Sequence, residues 1–314
     1  MLFALAASRE LGAAVAGAAD LALASHEERE FEDGEHKARA LESVRGRDVY
    51  AIHSLDGEPG ASANDKLLRL LFFLGSLRDA GAARLTAVVP YLAYARKDQR
   101  SKPRDPVTTR YVATFFESVG VDCVVTVDVH NLAAFENAYR CRSVNLEAAD
   151  ALVERVAAIV GDDPAAVVSP DAGGIKRADR FRAKLASVLG RPVGAAFAEK
   201  YRSEGVVRGG ELVGDVLGAV AVIVDDLVSS GHTLARAARA CRARGAVRVV
   251  AAATHGVFAG AANEVLAASP IERFVVTDTI PALRLTDPAL VARLERVSVA
   301  PLLAATIARL HGGG

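Results

Sequence analysis

Cysteine is scarce in this sequence, and its placement excludes several kinds of structural site. Three cysteines, Cys123, Cys141 and Cys241, occur in 314 residues. Their number is odd, they are scattered, and no two form a CxxC pair, so neither a disulfide framework nor a zinc site is indicated. Free cysteines fit a reducing compartment, and we therefore expect a cytoplasmic protein.

The chain also lacks a net charge, because 38 Lys and Arg residues balance 38 Asp and Glu residues. This balance removes the electrostatic footprint of a general nucleic-acid or membrane-surface binder, so any anion site must be local. No apolar stretch approaches the length of a membrane span. The Ala-rich N-terminus has no basic segment, and Arg9 and Glu10 interrupt it. We expect no membrane anchor and no nucleic-acid partner.

Apolar β-branched runs alternate with amphipathic helical stretches along almost the whole chain. A first set of strand-like runs contains "DVYAIHSL", "RLTAVVPY" and "CVVTVDVH", and a second contains "AAVVSP", "AVAVIVDD" and "VRVVAAATHG". Continuously apolar strands separated by helices predict parallel sheets that are covered on both faces. We predict an α/β protein with two similar domains, residues 1–145 and 146–298, and a helix over about 299–311 that could pack back on the first.

Polar residues stand where three of the predicted strands end. They are Asp128 and His130 in the first domain, and Asp171 and the pair Asp225–Asp226 in the second. In open parallel sheets, ligands bind outside the carboxyl ends of the strands. A single acid at a strand end is more often a helix cap or a turn residue. Three such ends in one chain favour ligand sites.

The stretch "VDDLVSSGHT", residues 224–233, is the most informative of these strand ends. Two adjacent carboxylates repel each other, and the residues after them predict a turn followed by a helix start. The first N–H groups of that helix and the turn hydroxyls would suit a phosphate, whereas a plain helix cap would leave the acid pair unexplained. Acids accept hydrogen bonds from sugar hydroxyls, so the stretch predicts a ribose 5-phosphate site. The chain has no GxxxxGK[ST] motif, which excludes a Walker-type nucleotide site.

With these residues, several motifs resemble the ribose-phosphate diphosphokinase (PRPP synthetase) family. They are "FEDGE", "VVPYLAYARKDQRSKPRDPVTTR", "VTVDVHN", "VVSPDAGGIKRADRF", "VDDLVSSGHT" and "THGVF", and they cover nearly the whole chain in order. The resemblance implies two phosphoribosyltransferase-like domains, each a mainly parallel sheet flanked by helices.

The resemblance also implies which residues bind the sugar, the transferred diphosphate and the metal. Asp225 and Asp226 would bind the ribose hydroxyls. The 5-phosphate would lie on Ser229, Ser230, Gly231, His232 and Thr233. The loop around the diphosphate would be Asp171, Ala172, Gly173 and Gly174. His130 and Asp171 would place Mg²⁺, although imidazole is an unusual ligand for so hard a cation and its contact could pass through water.

On the ATP side, the resemblance implies a site completed by a second subunit. The ATP-binding residues would be Phe31, Asp33, Glu35, Arg96, Lys97 and Asp98, with Arg96 and its neighbours reaching the adenine stretch across a subunit interface. The catalytic cations would be Lys200, Arg202 and Arg96. A homo-oligomer, either a dimer or a multiple of dimers, follows from this arrangement.

The implied activity is diphosphate transfer from ATP to ribose 5-phosphate, and two alternatives stay open. One is a non-catalytic regulatory member of the same family, whose metal or loop residues would be damaged. The other is a PRPP-consuming phosphoribosyltransferase, which explains the acid pair and phosphate turn but not "SPDAGG", "DVH" or "FEDGE". The sequence also departs from the family pattern at His232, because many members have Gly there, where it lets the backbone approach the phosphate.

Overall fold

The computed structural model describes residues 1–198, 201–203, 206–208 and 212–313, the two short segments by their backbone alone. The chain forms two compact units. Unit 1 is Met1–Glu147 with Val299–Gly314, and unit 2 is Ala148–Ser298. The sequence pattern places the change of domain near residue 145, two residues before the end of the first segment of unit 1.

Unit 1 contains a five-stranded sheet in the order β1-β4-β5-β6-β7, all parallel, and a separate antiparallel hairpin of β2 and β3. Its elements up to the unit boundary are β1 (Leu2–Ala4), α1 (Arg9–Ala18), β2 (His26–Glu30), β3 (His36–Ala40), β4 (Asp48–Ile52), α2 (Ala63–Asp79), β5 (Arg84–Val88), α3 (Thr108–Ser118), β6 (Cys123–Val127), α4 (Leu132–Ala138) and β7 (Arg142–Leu146).

Unit 2 contains a seven-stranded sheet in the order β12-β9-β8-β13-β14-β15-β16, in which β12 alone is antiparallel to its neighbour. Its elements are α5 (Ala149–Val160), β8 (Ala165–Ser169), α6 (Ile175–Leu189), β9 (Gly194–Ala198), β10 (Tyr201–Ser203), β11 (Val206–Arg208), β12 (Leu212–Gly214), β13 (Val220–Val228), α7 (His232–Ala243), β14 (Arg248–Gly256), α8 (Ala262–Ala267), β15 (Arg273–Thr277), α9 (Pro288–Val291) and β16 (Leu294–Val297). The last helix, α10 (Ala300–His311), belongs to unit 1 and packs on α1.

The local sequence explains where α2 begins and how it is held. Its N-cap, Ser62, accepts a hydrogen bond from the main-chain N–H of Asp65, and the Asp65 carboxylate accepts one from the N–H of Ser62. This reciprocal capping box satisfies donors that have no partner inside the helix. Leu70 and Leu74 of the helix then pack into the main core of unit 1 with Phe116 of α3. The start of α2 is thereby fixed by its cap, and the body of the helix by the core.

The predicted fold class is confirmed: the protein is α/β, with mainly parallel sheets flanked by helices. Both sheets are buried by helices, as the continuously apolar strands require. Among the described residues, no helix has both the length and the apolar character needed to cross a membrane.

Candidate active site

The acid pair of unit 2 lies near the carboxyl end of β13, a central strand of the sheet. The strand register places Asp225 beside Ala253 of β14, while Ile223 pairs with Val168 near the end of β8. Asp226 is 4% exposed. Burial, and then repulsion from Asp226, raises the pKa of Asp225 well above that of an ordinary carboxyl group. Such a pair is unfavourable unless a cation or a ligand compensates it.

A residue that the sequence pattern did not single out, Arg177 of α6, provides a cation for this pair. Its Nη1 donates to Oδ1 of Asp225 at 3.2 Å and lies 3.4 Å from Oδ1 of Asp226. The main-chain N–H of Asp226 also donates to Oδ1 of Asp225, at 2.9 Å. The stretch "GGIKR" places two basic residues, Lys176 and Arg177, in the first turn of α6, where the positive end of the helix dipole favours a nearby anion, but the sequence does not indicate which of the two contacts the acid pair.

The predicted phosphate turn leads from β13 directly into α7. Gly231 is the N-cap and has a φ of +79°, and a Cβ there would lie 2.5 Å from Cδ2 of Leu266. Only glycine meets both conditions. No described side chain caps α7, so the N–H groups of its first turn suit an anion. His232 begins the helix with an exposed ring whose Nδ1 lies 3.0 Å from Oγ of Ser230.

The predicted diphosphate loop is a single 3₁₀ turn between β8 and α6. Asp171 caps this turn, since its Oδ1 accepts from the N–H of Gly174 at 3.2 Å. The hydroxyl of Ser169 donates to the carbonyl of Asp171 at 2.6 Å. A Cβ on Gly174 would lie 2.8 Å from that hydroxyl oxygen, so the close turn requires glycine here. The loop, the acid pair and the phosphate turn therefore stand at the same edge of one sheet.

In unit 1, the segment that carries Arg96, Lys97 and Asp98 follows β5. Arg96 is exposed. The ammonium of Lys97 donates to Oδ2 of Asp105 at 2.7 Å and to the hydroxyl of Ser101 at 3.0 Å. Binding of ATP by Lys97 stays a prediction, and it would compete with this ion pair.

Asp98 is hydrogen-bonded to a residue that follows the carboxyl end of the neighbouring strand β6. Its Oδ2 accepts from Nδ2 of Asn131 at 2.6 Å. Asn131 is the N-cap of α4 and directly follows His130. The structure thus brings the predicted ATP segment to the strand end that carries the predicted metal residue.

The predicted adenine stretch is the turn of the β2–β3 hairpin. The N–H of Phe31 donates to the carbonyl of Glu35 at 2.8 Å, and the N–H of Glu35 donates to Oδ1 of Asp33 at 3.1 Å. The Phe31 ring is 40% exposed, and the guanidinium of Arg29 lies 4.9 Å from its centroid. Within the described residues, no hydrogen bond or ion pair joins this turn to residues 96–98. An aromatic side chain held open in this way is available for stacking.

The predicted catalytic pair cannot be placed by its side chains. Lys200 lies outside the described residues, and Arg202 is described only as part of the backbone of β10, which pairs with β11. Both assignments stay predictions. For the metal, His130 belongs to unit 1 and Asp171 to unit 2, and the described part of the chain contains no group of three or more His, Cys, Asp or Glu side chains that is arranged to hold a metal ion.

Two family models match the two ends of the chain. The N-terminal domain of ribose phosphate pyrophosphokinase matches residues 1–120, and the phosphoribosyl synthetase-associated domain matches residues 208–314. The ribose-phosphate pyrophosphokinase of Caldanaerobacter subterraneus is 37% identical over 97% of this chain and 92% of its own. The chain belongs to the ribose-phosphate pyrophosphokinase family. A relative of the same name from Aquifex aeolicus is 37% identical over 90% of this chain and 86% of its own.

A solved structure supports the same family at the level of the fold. The phosphoribosylpyrophosphate synthetase of Mycobacterium smegmatis matches with a TM-score of 0.88 at 33% identity, over 100% of this chain and 99% of that one. The resemblance drawn from the motifs is confirmed, and so is the α/β class with phosphoribosyltransferase-like domains.

Proposed function

We propose that this protein is a ribose-phosphate diphosphokinase, which transfers diphosphate from ATP to the C1 hydroxyl of ribose 5-phosphate and yields PRPP and AMP. The observation that carries the proposal is the acid pair near the carboxyl end of β13 together with the start of α7, which begins at His232, six residues after Asp226, and which no described side chain caps. Acceptors for two hydroxyls and N–H donors for one phosphate then stand at the same edge of the sheet. Membership in the pyrophosphokinase family favours synthesis of PRPP over its consumption by a phosphoribosyltransferase.

Two neighbouring parts of the site would bind the sugar phosphate: the acid pair would bind the ribose and the turn after it would bind the 5-phosphate. Asp225 and Asp226 would accept hydrogen bonds from the ribose hydroxyls, because a carboxyl group offers several acceptor sites when ionised and keeps acceptor sites even when it holds a proton. The 5-phosphate would lie on Ser229, Ser230, Gly231, His232 and Thr233, where main-chain N–H groups and the positive end of the α7 dipole favour an anion. The sugar is thereby held with its C1 hydroxyl toward the loop of Asp171–Gly174.

The transfer itself needs alignment and charge compensation more than covalent help from the protein. The C1 oxygen attacks the β-phosphorus of ATP, and the bond from that phosphorus to the oxygen bridging the α-phosphate breaks. AMP leaves with the bridging oxygen, and the hydroxyl proton passes to solvent. Arg96, Lys200 and Arg202 would stabilise the charge that develops on the phosphate oxygens.

We propose Mg²⁺ as the cofactor, with Asp171 and His130 placing it. The donor chemistry of Asp171 fits, because Mg²⁺ usually binds through one or two carboxylates together with waters and substrate phosphates. The absence of a closed cage of side chains among the described residues agrees with that mode of binding. When bound, Mg²⁺ supplies charge neutralisation on the phosphate oxygens. His130 would act through a water, since imidazole is a poor direct ligand for this cation.

We also propose that ATP is bound in a homo-oligomer. Phe31, Asp33 and Glu35 form an exposed turn, and no described hydrogen bond or ion pair joins it to residues 96–98 of the same chain. A second subunit would bring its own 96–98 segment to this turn. The expected assembly is a dimer or a multiple of dimers.

Purified protein with ATP, ribose 5-phosphate and MgCl₂ tests the proposed function. AMP and PRPP should appear in equal amounts, and only when ribose 5-phosphate is present. The variant Lys200→Ala, Arg202→Ala should have a kcat that is lower by about 10²-fold or more, because it lacks the two cations that stabilise the charge formed as the bond to AMP breaks. Its binding of ribose 5-phosphate should change little. A folded wild-type protein that releases no AMP would refute the proposal.

A further inference from the structure

One guanidinium connects the predicted diphosphate loop with the acid pair. Arg177 is the third residue of α6, and its Nη1 reaches Oδ1 of both Asp225 and Asp226, at 3.2 and 3.4 Å. Adjacent residues of a strand point to opposite faces of the sheet. A nitrogen within reach of both carboxylates must therefore lie over the end of β13, where the strand opens to a ligand.

Arg177 stands in a place that is unfavourable for a cation by itself. It lies in the first turn of α6, where the helix dipole presents its positive end and disfavours a cation. The turn before it passes close by, because a Cβ on Gly174 would lie 3.8 Å from Nη1 of Arg177. The two carboxylates compensate this position, so the side chain has one defined orientation between the loop and the acids.

We propose that Arg177 is a positioning residue for sugar recognition: by binding Oδ1 of both carboxylates, it turns Asp225 and Asp226 so that they accept hydrogen bonds from the two ribose hydroxyls. This inference rests on the proposed function, because it needs a sugar at the acid pair. Without the guanidinium, repulsion between the two acids would rotate their carboxylate groups apart. Arg177 would also transmit a shift of the diphosphate loop to the sugar, since it lies against Gly174.

The variant Arg177→Met tests this role. It keeps the unbranched apolar stem of the side chain but removes the guanidinium and with it the charge-assisted hydrogen bonds that orient the acids. The KM for ribose 5-phosphate should rise about 10-fold or more, the effect of weakening hydrogen bonds to charged groups. The KM for ATP should change less than about 2-fold. Arg182→Met is the matched control, because Arg182 lies on the same helix and pairs with the exposed Asp179; both KM values should remain at the wild-type level.

A double-mutant cycle separates positioning from general support of the fold. In a background of Asp225→Asn and Asp226→Asn, Arg177 has no carboxylates to orient, so Arg177→Met should cause no further loss of kcat/KM. A purely structural role would give the same loss in both backgrounds. Arg177→Lys is the second variant: its ammonium can hold one carboxylate, and the rise in the ribose 5-phosphate KM should be smaller than for Met.

The outcomes separate this inference from the proposed function. Wild-type protein that fails to release AMP refutes the function itself. If the wild type is active, an unchanged KM in Arg177→Met, or an equal loss in the two backgrounds, overturns the positioning role alone. If Arg177→Met does not fold, Arg177→Lys replaces it in the test. The inference is supported if Arg177→Lys raises the KM for ribose 5-phosphate in the wild type but not in the Asp225→Asn, Asp226→Asn background. It is overturned if Arg177→Lys leaves the wild-type KM unchanged.

Discussion

Each unit contains a cluster in which one basic side chain lies between two carboxylates, yet the two clusters differ in access and geometry. In unit 1, Nζ of Lys66 donates to Oδ1 of Asp56 at 3.1 Å and to Oε2 of Glu58 at 2.9 Å, and the Lys66 side chain is 1% exposed. In unit 2, Arg177 contacts its two acids at 3.2 and 3.4 Å, and its side chain is 28% exposed. The basic side chain is buried in unit 1 and partly exposed in unit 2. We call Asp56, Glu58 and Lys66 the sealed cluster, and Arg177, Asp225 and Asp226 the open cluster.

The causes behind the carboxyl pKa values explain the difference. Burial raises the pKa of both Asp56 and Asp225. The next influence on Asp56 is the Lys66 ammonium, which lowers its pKa, whereas the next influence on Asp225 is Asp226, which raises it further. In unit 1, attraction to the Lys66 ammonium therefore offsets part of the cost of burying Asp56. In unit 2, repulsion from Asp226 adds to the cost of burying Asp225, and a sugar with hydroxyl donors would relieve it.

The largest expected effect is on the sealed cluster. Lys66→Met would leave the buried Asp56 carboxylate and the half-buried Glu58 carboxylate without their cation, and breaking a buried pair costs about 3–5 kcal/mol of unfolding free energy. Urea unfolding, with hydrogen exchange along α2 to assign the loss to unit 1, measures it. Lys102→Met, which removes an exposed ammonium, is the control and should change the unfolding free energy by less than about 0.5 kcal/mol. Equal effects in the two variants would show that the sealed cluster does not stabilise the fold.

Removing the charges of the open cluster should harm activity while sparing the fold. Asp225→Asn with Asp226→Asn should lower kcat/KM for ribose 5-phosphate by about 10²-fold or more, because two hydrogen bonds to charged acceptors are lost. The raised pKa of Asp225 means that the native protein retains a proton that the unfolded chain releases above an ordinary carboxyl pKa. Wild-type stability therefore falls as pH rises through that window. The variant should lack this fall, and thermal unfolding from pH 5 to 8 checks it; a variant less stable than wild type at pH 8 would contradict it.

A smaller, pH-dependent effect is expected from His53 in unit 1. Its ring is buried, Nδ1 lies 3.1 Å from Oγ of Ser8, and burial lowers its pKa to about 3. The unfolded chain takes up a proton below about 6.5 that the native His53 does not, so stability falls with decreasing pH by up to about 1.4 kcal/mol per pH unit. His53→Gln should flatten this slope between pH 6.5 and 5 in urea unfolding. His232→Gln, at an exposed histidine, is the control. An unchanged slope for His53→Gln would show that His53 does not cause the pH dependence of stability.

The smallest effect is expected at His232. Its ring is exposed and contacts the hydroxyl of Ser230, while the N-cap geometry is supplied by Gly231. His232→Gly should therefore change the KM for ribose 5-phosphate by less than about 3-fold at any pH from 6 to 8. A large loss that grows as the pH falls would show that the imidazolium binds the phosphate.

The sequence predicted the sheets well because buried parallel strands have a direct signature. Continuous apolar runs such as β6 and β13 indicate the strands, and the polar residues just after them indicate the edge where ligands bind. The β2–β3 hairpin has no such signature, since "HEERE" is polar throughout and "HKARA" has alanine as its only apolar residue type. Its place is set by packing, with β3 against α2 and the His26 ring 5.4 Å from the centroid of Phe73.

The two charge clusters were beyond sequence reasoning for a related cause. Lys66 lies in "NDKLLRLL", where a lysine near a helix start is ordinarily a solvated surface charge. Arg177 is one of five basic residues within ten positions of α6, and nothing in their spacing distinguishes it. Contacts to residues 10 and 48 positions away select these two side chains, and such contacts exist only once the strands are placed.

Calorimetric titration of the wild type and the Asp225→Asn, Asp226→Asn variant, with ribose 5-phosphate and with inorganic phosphate, tests the central claim most directly. We predict that the variant loses ribose 5-phosphate affinity by about 10²-fold or more, because neutral amides, each carrying N–H donors beside one acceptor oxygen, replace the two carboxyl groups. Inorganic phosphate affinity should be retained or improved, since the phosphate meets the start of α7 and two nearby negative charges have been removed. An unchanged ribose 5-phosphate affinity, or an equal loss for both ligands, would contradict the assignment of the acid pair to the sugar.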